Sequence, residues 1–173
     1  MKLNHPLMYN NISSEDLKAI KRFLKKKNIV LTQSKKIKEF EKKWSKWLGV
    51  KYSTFVNSGS SANFITLSIL KILNKNKKKN EIIVPTLTWV SDISSVIMNG
   101  FKPIFVDINF ENLSMNIDQV LKKISKKTLA VFMTHSQGFN GLNEKLIKNL
   151  KRKKIHLIED VCESHGAKFA NKK

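Results

Sequence analysis

A chain of 173 residues that is 41% apolar is long enough to bury one core of ordinary domain size. One cysteine, Cys162, excludes an internal disulfide; the start MKLNHPLMYNN has no apolar signal core and no later run approaches a membrane span, so the expectation is a cytoplasmic chain with no membrane partner. The net charge of +20 raises nucleic acid as a partner, yet only Arg22 and Arg152 among the 33 basic residues are arginine, and the lysines lie in scattered runs that read as solvated helix faces, so no nucleic acid is expected.

Ser13 and Asp16 stand in capping-box positions before a helix carrying Leu17, Ile20, Phe23 and Leu24 on one stripe. A second helix follows Ser34, with Ile37, Phe40, Trp44, Trp47 and Leu48 at steps of three and four, and Gly49 stops it. Position on that stripe makes the two tryptophans core residues in this reading. From Gly49 onward the pattern alternates between strand and helix. Strands are expected at 52–56, 82–84, 103–106, 129–133 and 156–158. Between them lie helices after Ser60, from Val90 to Asn99-Gly100, after Asn116, and around Leu146 and Leu150. Short connections between alternating elements imply right-handed crossovers and a mainly parallel sheet, an α/β three-layer sandwich. In such sheets ligands gather at the carboxyl ends of the strands, which is where the chemistry is sought.

Three strand ends carry unusual residues. After the first expected strand comes Asn57-Ser58-Gly59-Ser60-Ser61-Ala62. Gly59 permits a tight turn, and free N–H groups of Ser60, Ser61 and Ala62 at a helix start, with two hydroxyls, suit a phosphate, though serine caps also begin many ordinary helices. The segment lacks the Gly-Lys-Ser/Thr of a nucleotide-phosphate loop and the GxGxxG of a dinucleotide fold. The second end, PTLTW, presents Trp89, either a platform for a flat ring or a half-buried packing residue. The last strand runs into Glu159-Asp160-Val161-Cys162-Glu163-Ser164-His165-Gly166. Carboxylates at a buried strand end need partners, and a protonated ring nitrogen is one such partner. The spacing of Asp160, Glu163 and His165 matches no common metal box, and no third group orients a Cys162–His165 pair as a nucleophile. A phosphate cradle, an indole and a carboxylate together describe one ligand, pyridoxal 5'-phosphate (PLP).

The blocks LTQSKKIKEFEKKWSKWLGVKY, VNSGSSAN, VPTLTWVSDISSVIMNGFKPIFVDIN, MTHSQGFNG and LIEDVCESHGA, in that order, resemble the DegT/StrS-type family of PLP-dependent sugar aminotransferases within fold type I. The likeness runs from about Ile29 to Ala167. It implies that Gly59, Ser60 and Ser61 hold the cofactor phosphate, that Trp89 stacks on the pyridine, and that Asp160 pairs with the ring nitrogen. Glu163 falls near the phenolic oxygen; His165 and His135 match family positions without an assigned chemical role. The resemblance also implies a Schiff-base lysine and a second domain beyond the aspartate-bearing strand. No lysine up to the closing AKFANKK has that context, and Lys168 follows Asp160 too closely.

The expected organisation is therefore an N-terminal helical segment over 1–48 and an incomplete PLP-binding α/β domain over 49–173, inactive and poorly soluble by itself. The activity implied for the complete protein is transfer of an amino group, from glutamate, to a keto-sugar nucleotide for surface polysaccharide, in a homodimer. SGSSAN is also reminiscent of the family's nucleotide-sugar 3-dehydrases, and a non-catalytic binding or regulatory member of the fold is the remaining alternative.

Overall fold

The computed structural model describes residues 10–171. The elements run α1 (Ser14–Leu24), α2 (Lys35–Leu48), α3 (Gly59–Leu73), β1 (Glu81–Pro85), α4 (Val90–Met98), β2 (Lys102–Val106), α5 (Ile117–Lys123), β3 (Thr128–Thr134), a 3-10 turn (Ser136–Gly138), α6 (Glu144–Lys153) and β4 (His156–Asp160). The four strands form one sheet in the order β2-β1-β3-β4, with every neighbouring pair parallel. The two central strands, β1 and β3, are buried on both faces and correspondingly apolar, whereas the edge strands β2 and β4 are partly exposed and carry Lys102, His156, Glu159 and Asp160.

Alternation along the strands sorts the core into two halves. Ile82 and Val84 of β1 and Ala130 and Phe132 of β3 face Leu67 and Leu70 of α3 and Val96 of α4. Ile83, Val131 and Met133 face the other way, toward Val120 of α5 and Leu146 and Leu150 of α6. Three layers result, as the periodicity predicted. A register shift on β3 opposite Glu81 and Ile82 puts Leu129 beside Ala130 in the first half instead of across from it. Each fully buried Val, Ile or Leu contributes about 1.5–3 kcal/mol relative to exposure, so the sheet and its four flanking helices carry most of the stability.

Two expectations fail here. Residues 52–56 are not a strand, and among the described residues the sheet has four strands, not five. The segment's polar groups are engaged sideways by α2 instead of by a β-ladder. The Phe55 N–H donates to Glu41 Oε1 at 2.9 Å, the Ser45 hydroxyl bonds the Ser53 hydroxyl at 2.8 Å, and the Phe55 ring meets Phe40 edge-on at 5.4 Å. Trp44 and Trp47 are not in the core either. They lie beside each other on α2, tilted, with centroids 4.9 Å apart, and Trp44 stacks on Phe40 in an aromatic group outside both core halves. A helical apolar stripe marks a contact face, but here that face meets Phe55 and His165 instead of the sheet. The capping box of α1 is present, with Ser13 Oγ accepting from the Asp16 N–H, while α1 itself buries no residue.

The connections fix where a ligand crevice lies. From β1 the chain passes through α4 to β2 on one side, and from β3 through α6 to β4 on the other. The strand order therefore reverses between β1 and β3, the topological switch point of a doubly wound sheet.

Candidate functional site

At the carboxyl ends of β1 and β3, directly at the switch point, lies a buried polar network. Thr88 follows β1, Thr134 ends β3, and Asp92 enters from the first turn of α4 with only 1% of its surface exposed. Thr134 Oγ1 is hydrogen-bonded to Asp92 Oδ2 at 2.8 Å; Thr88 Oγ1 is bonded to the same oxygen and lies 2.6 Å from Thr134 Oγ1. Asn63 of α3 spans the crevice. Its Nδ2 donates to Asp92 Oδ1 at 2.7 Å and to Asp160 Oδ2 at 3.2 Å, with Ser91 Oγ at 3.4 Å. The other Asp160 oxygen accepts the Cys162 N–H at 3.0 Å. One amide thus joins α3, α4 and the end of β4, three elements that are distant along the chain.

Burial holds the Asp92 carboxyl above the ordinary aspartate range; the Thr88 and Thr134 hydroxyls pull it down, and the neighbouring Asp160 pushes it further up. Among the described residues neither Asp92 nor Asp160 takes part in an ion pair. Among the described residues, no cation of the chain is therefore set against these two carboxyl groups.

The helix start expected to hold an anion is built partly as foreseen. Ser58 is the N-cap of α3, its Oγ accepting the Ser61 N–H at 3.2 Å and lying 3.2 Å from the Ser61 hydroxyl. The Ala62 N–H is taken by the Ser58 carbonyl at 3.1 Å. Ser61 and Ala62 consequently do not offer free N–H groups, contrary to the sequence reading. The Gly59 and Ser60 N–H groups stand at the first helical positions, for which the helix has no acceptor, and the space where a Gly59 side chain would begin is open to 4 Å.

Trp89 is 71% exposed at the N-terminus of α4, one residue beyond Thr88 and one turn before Asp92. This excludes the half-buried packing residue that was the alternative reading. Glu163 is exposed and its carboxylate accepts the Gln137 N–H, tying the segment after β4 to the 3-10 turn after β3. Gln137 has a φ of 56° and Gly138 a φ of 82°, so this turn runs through the left-handed region at two successive residues.

His135 and His165 both make contacts with other side chains or backbone of the chain. His135 is buried; its Nδ1 accepts the Gly141 N–H at 3.1 Å, which puts the ring proton on Nε2, 3.1 Å from Glu159 Oε1. His165 meets the Trp44 ring edge-on with centroids 5.6 Å apart. Cys162 is exposed, and among the described residues no three His, Cys, Asp or Glu side chains gather as a metal site. No helix among them is long and apolar enough to cross a membrane.

The sequence reading missed Asn63, Thr88, Asp92 and Thr134. Asp92 reads as an acid complementing the dipole of α4, and its place four residues before Val96 on the buried face was the available signal. Asn63 lies inside the SSAN block as one polar residue among several.

Comparison with known proteins agrees with this architecture. Over 172 residues the chain is 31% identical to GDP-4-keto-6-deoxy-D-mannose 3-dehydratase of Yersinia pseudotuberculosis, covering 98% of this chain and 43% of that protein. It is 33% identical over 144 residues to GDP-perosamine synthase of Vibrio cholerae, covering 83% and 38%. Among solved structures, the E. coli GDP-4-keto-6-deoxy-D-mannose-3-dehydratase with bound hydrated PLP superposes with a TM-score of 0.88 at 30% identity, over 100% of this chain and 44% of that one. PseC of Helicobacter pylori, an aminotransferase involved in the biosynthesis of pseudoaminic acid, gives 0.80 at 26% identity, over 93% and 42%. The chain thus spans less than half the length of these relatives. Residues 10–173 match the profile of the DegT/DnrJ/EryC1/StrS aminotransferase family, and the chain belongs to that family.

Proposed function

We propose that the chain supplies the cofactor half of a PLP-dependent enzyme that transfers an amino group, with glutamate as donor, to a keto-sugar linked to a nucleotide, and that the complete protein works as a cytoplasmic homodimer. The observation that carries this reading is the Asn63 bridge, which draws the α3 start, the Trp89-bearing turn and Asp160 to one crevice at the strand ends.

The residues fit the group. Gly59 and Ser60 N–H groups, with the Ser60 and Ser61 hydroxyls, would hold the phosphate at the positive end of α3. The open space at Gly59 is what a phosphoryl oxygen needs for close approach. Trp89, with its exposed indole, would lie against the pyridine face, and Asp160 would accept a hydrogen bond from the ring N–H. Glu163, held by the Gln137 N–H, would face the phenolic side from the exit of β4. When bound, PLP supplies a protonated pyridine ring that draws electron density from the reacting carbon. Asp160 keeps that ring protonated, and the Asn63 and Cys162 donors fix the direction in which its carboxylate points. Neither α1 nor α2 joins a core half, which supports reading residues 1–48 as a helical segment apart from the α/β domain over 49–173.

A second reading, 3-dehydration of a nucleotide-linked keto-sugar, is favoured by the 98% coverage of this chain in the match to the Yersinia 3-dehydratase. Both readings place the cofactor identically. Spectroscopic titration of the chain with PLP tests them together: Asp160→Ala should weaken binding about tenfold, a charge-assisted hydrogen bond's worth. Equal affinity in the variant would contradict the role given to Asp160.

A further inference from the structure

Three oxygens at the switch point are mutually in contact: Asp92 Oδ2, Thr88 Oγ1 and Thr134 Oγ1. Each contact needs one proton, and the two hydroxyls bring two. If Asp92 is ionised, one side of the triangle has no proton, and lone pairs face each other at a partly buried site. A proton on Asp92 Oδ2 supplies the third: the acid donates to one threonine, that threonine to the other, and the other back to Asp92. The amide next to it directs its two Nδ2 protons mainly at one oxygen of Asp92 and one of Asp160, with Ser91 Oγ a longer contact at 3.4 Å.

We propose that Asp92 is a neutral carboxylic acid at physiological pH and that, through Asn63, it is the positioning residue for Asp160. The elements around Asp92 bring no compensating cation: α3 presents Asn63, β3 presents Thr134, the loop before α4 presents Thr88, and the titratable group facing it is Asp160 from β4. An ionised Asp92 would stand as a second anion beside Asp160, buried and unpaired, which is the costly arrangement. A neutral Asp92 leaves the negative charge of the pair on Asp160 alone. Asn63 Nδ2 then donates one N–H to a fixed acid and the other to Asp160 Oδ2, so the carboxylate is aimed by a chain of bonds anchored in the sheet. The part concerning what Asp160 is aimed at rests on the proposed cofactor reading; the protonation and the grip do not.

Two measurements on the chain without PLP test this. Infrared spectroscopy at neutral pH should show the carbonyl band of a protonated carboxylic acid, absent from Asp92→Asn. The carboxyl carbon resonance of Asp160 should move in Asp92→Ala and in Asn63→Ala, and return toward its wild-type position in Asp92→Asn, whose amide has the shape of the neutral acid. Asn63→Ala serves where Asp92→Ala does not fold. Absence of the band overturns the neutral acid, and an Asp160 resonance indifferent to Asn63→Ala overturns the positioning role. A chain that shows both signals but does not bind PLP contradicts the cofactor reading while supporting this one.

Discussion

A methyl group on Gly141 would stand 2.4 Å from Ser114 Oγ and 2.8 Å from Met133 Sδ, both fixed in buried surroundings. Gly141→Ala should therefore destabilise the chain by about 1–3 kcal/mol, the usual cost of overpacking, and loosen the N–H bond that sets the His135 tautomer. A denaturant midpoint equal to wild type would contradict this. Asp92 yields a second prediction, with its sign fixed by linkage. Its carboxyl titrates higher in the folded chain than in the unfolded one, so between those two values only the folded chain holds the proton. Stability should fall as pH rises through that window, and Asp92→Asn should flatten the slope in urea melts taken across it. A steeper or unchanged slope in the variant would be the contrary result. At this scale the sequence was legible where a residue stood out from its surroundings, as Trp89 and Asp160 do at strand ends. Asp92 was not legible, because a carboxylate in the first turn of a helix has an ordinary surface explanation.

Between elements, the joint where residues 55–58 enter α3 matters most. Ser58 caps the helix through the Ser61 N–H, and removing that acceptor should cost about 1 kcal/mol. Ser58→Ala should thus lower the denaturant midpoint and also weaken PLP binding, because the same turn orients the Gly59 and Ser60 N–H groups. Weaker binding without any loss of stability would mean that Ser58 touches the ligand itself. The helices of this chain were read close to their true ends because caps and stops are local chemistry: Ser13, Ser34, Asn116 and Gly49 stand where expected. The segment 52–56 was misread as a strand because strand identity is not local. Alternating apolar residues make a strand only where an edge is there to pair with, and here Glu41, Ser45 and Phe40 occupy that role from α2.

For the whole molecule, parallel pairing and the reversal of strand order between β1 and β3 determine that Thr88, Asp92, Thr134, Asn63 and Asp160 meet, although they span residues 63 to 160. Alternation in the sequence predicted the layers, and the ligand rule for such sheets predicted the end at which to look. The strand order itself, and hence the switch point, was not readable from periodicity. The most direct measurement is a crystal structure of the chain grown with PLP. The phosphate should lie at the start of α3 against Gly59 and Ser60, the pyridine ring beside Trp89, and the ring nitrogen within hydrogen-bond distance of Asp160. A cofactor bound elsewhere, or oriented with its phosphate away from α3, would contradict the assignment of this crevice.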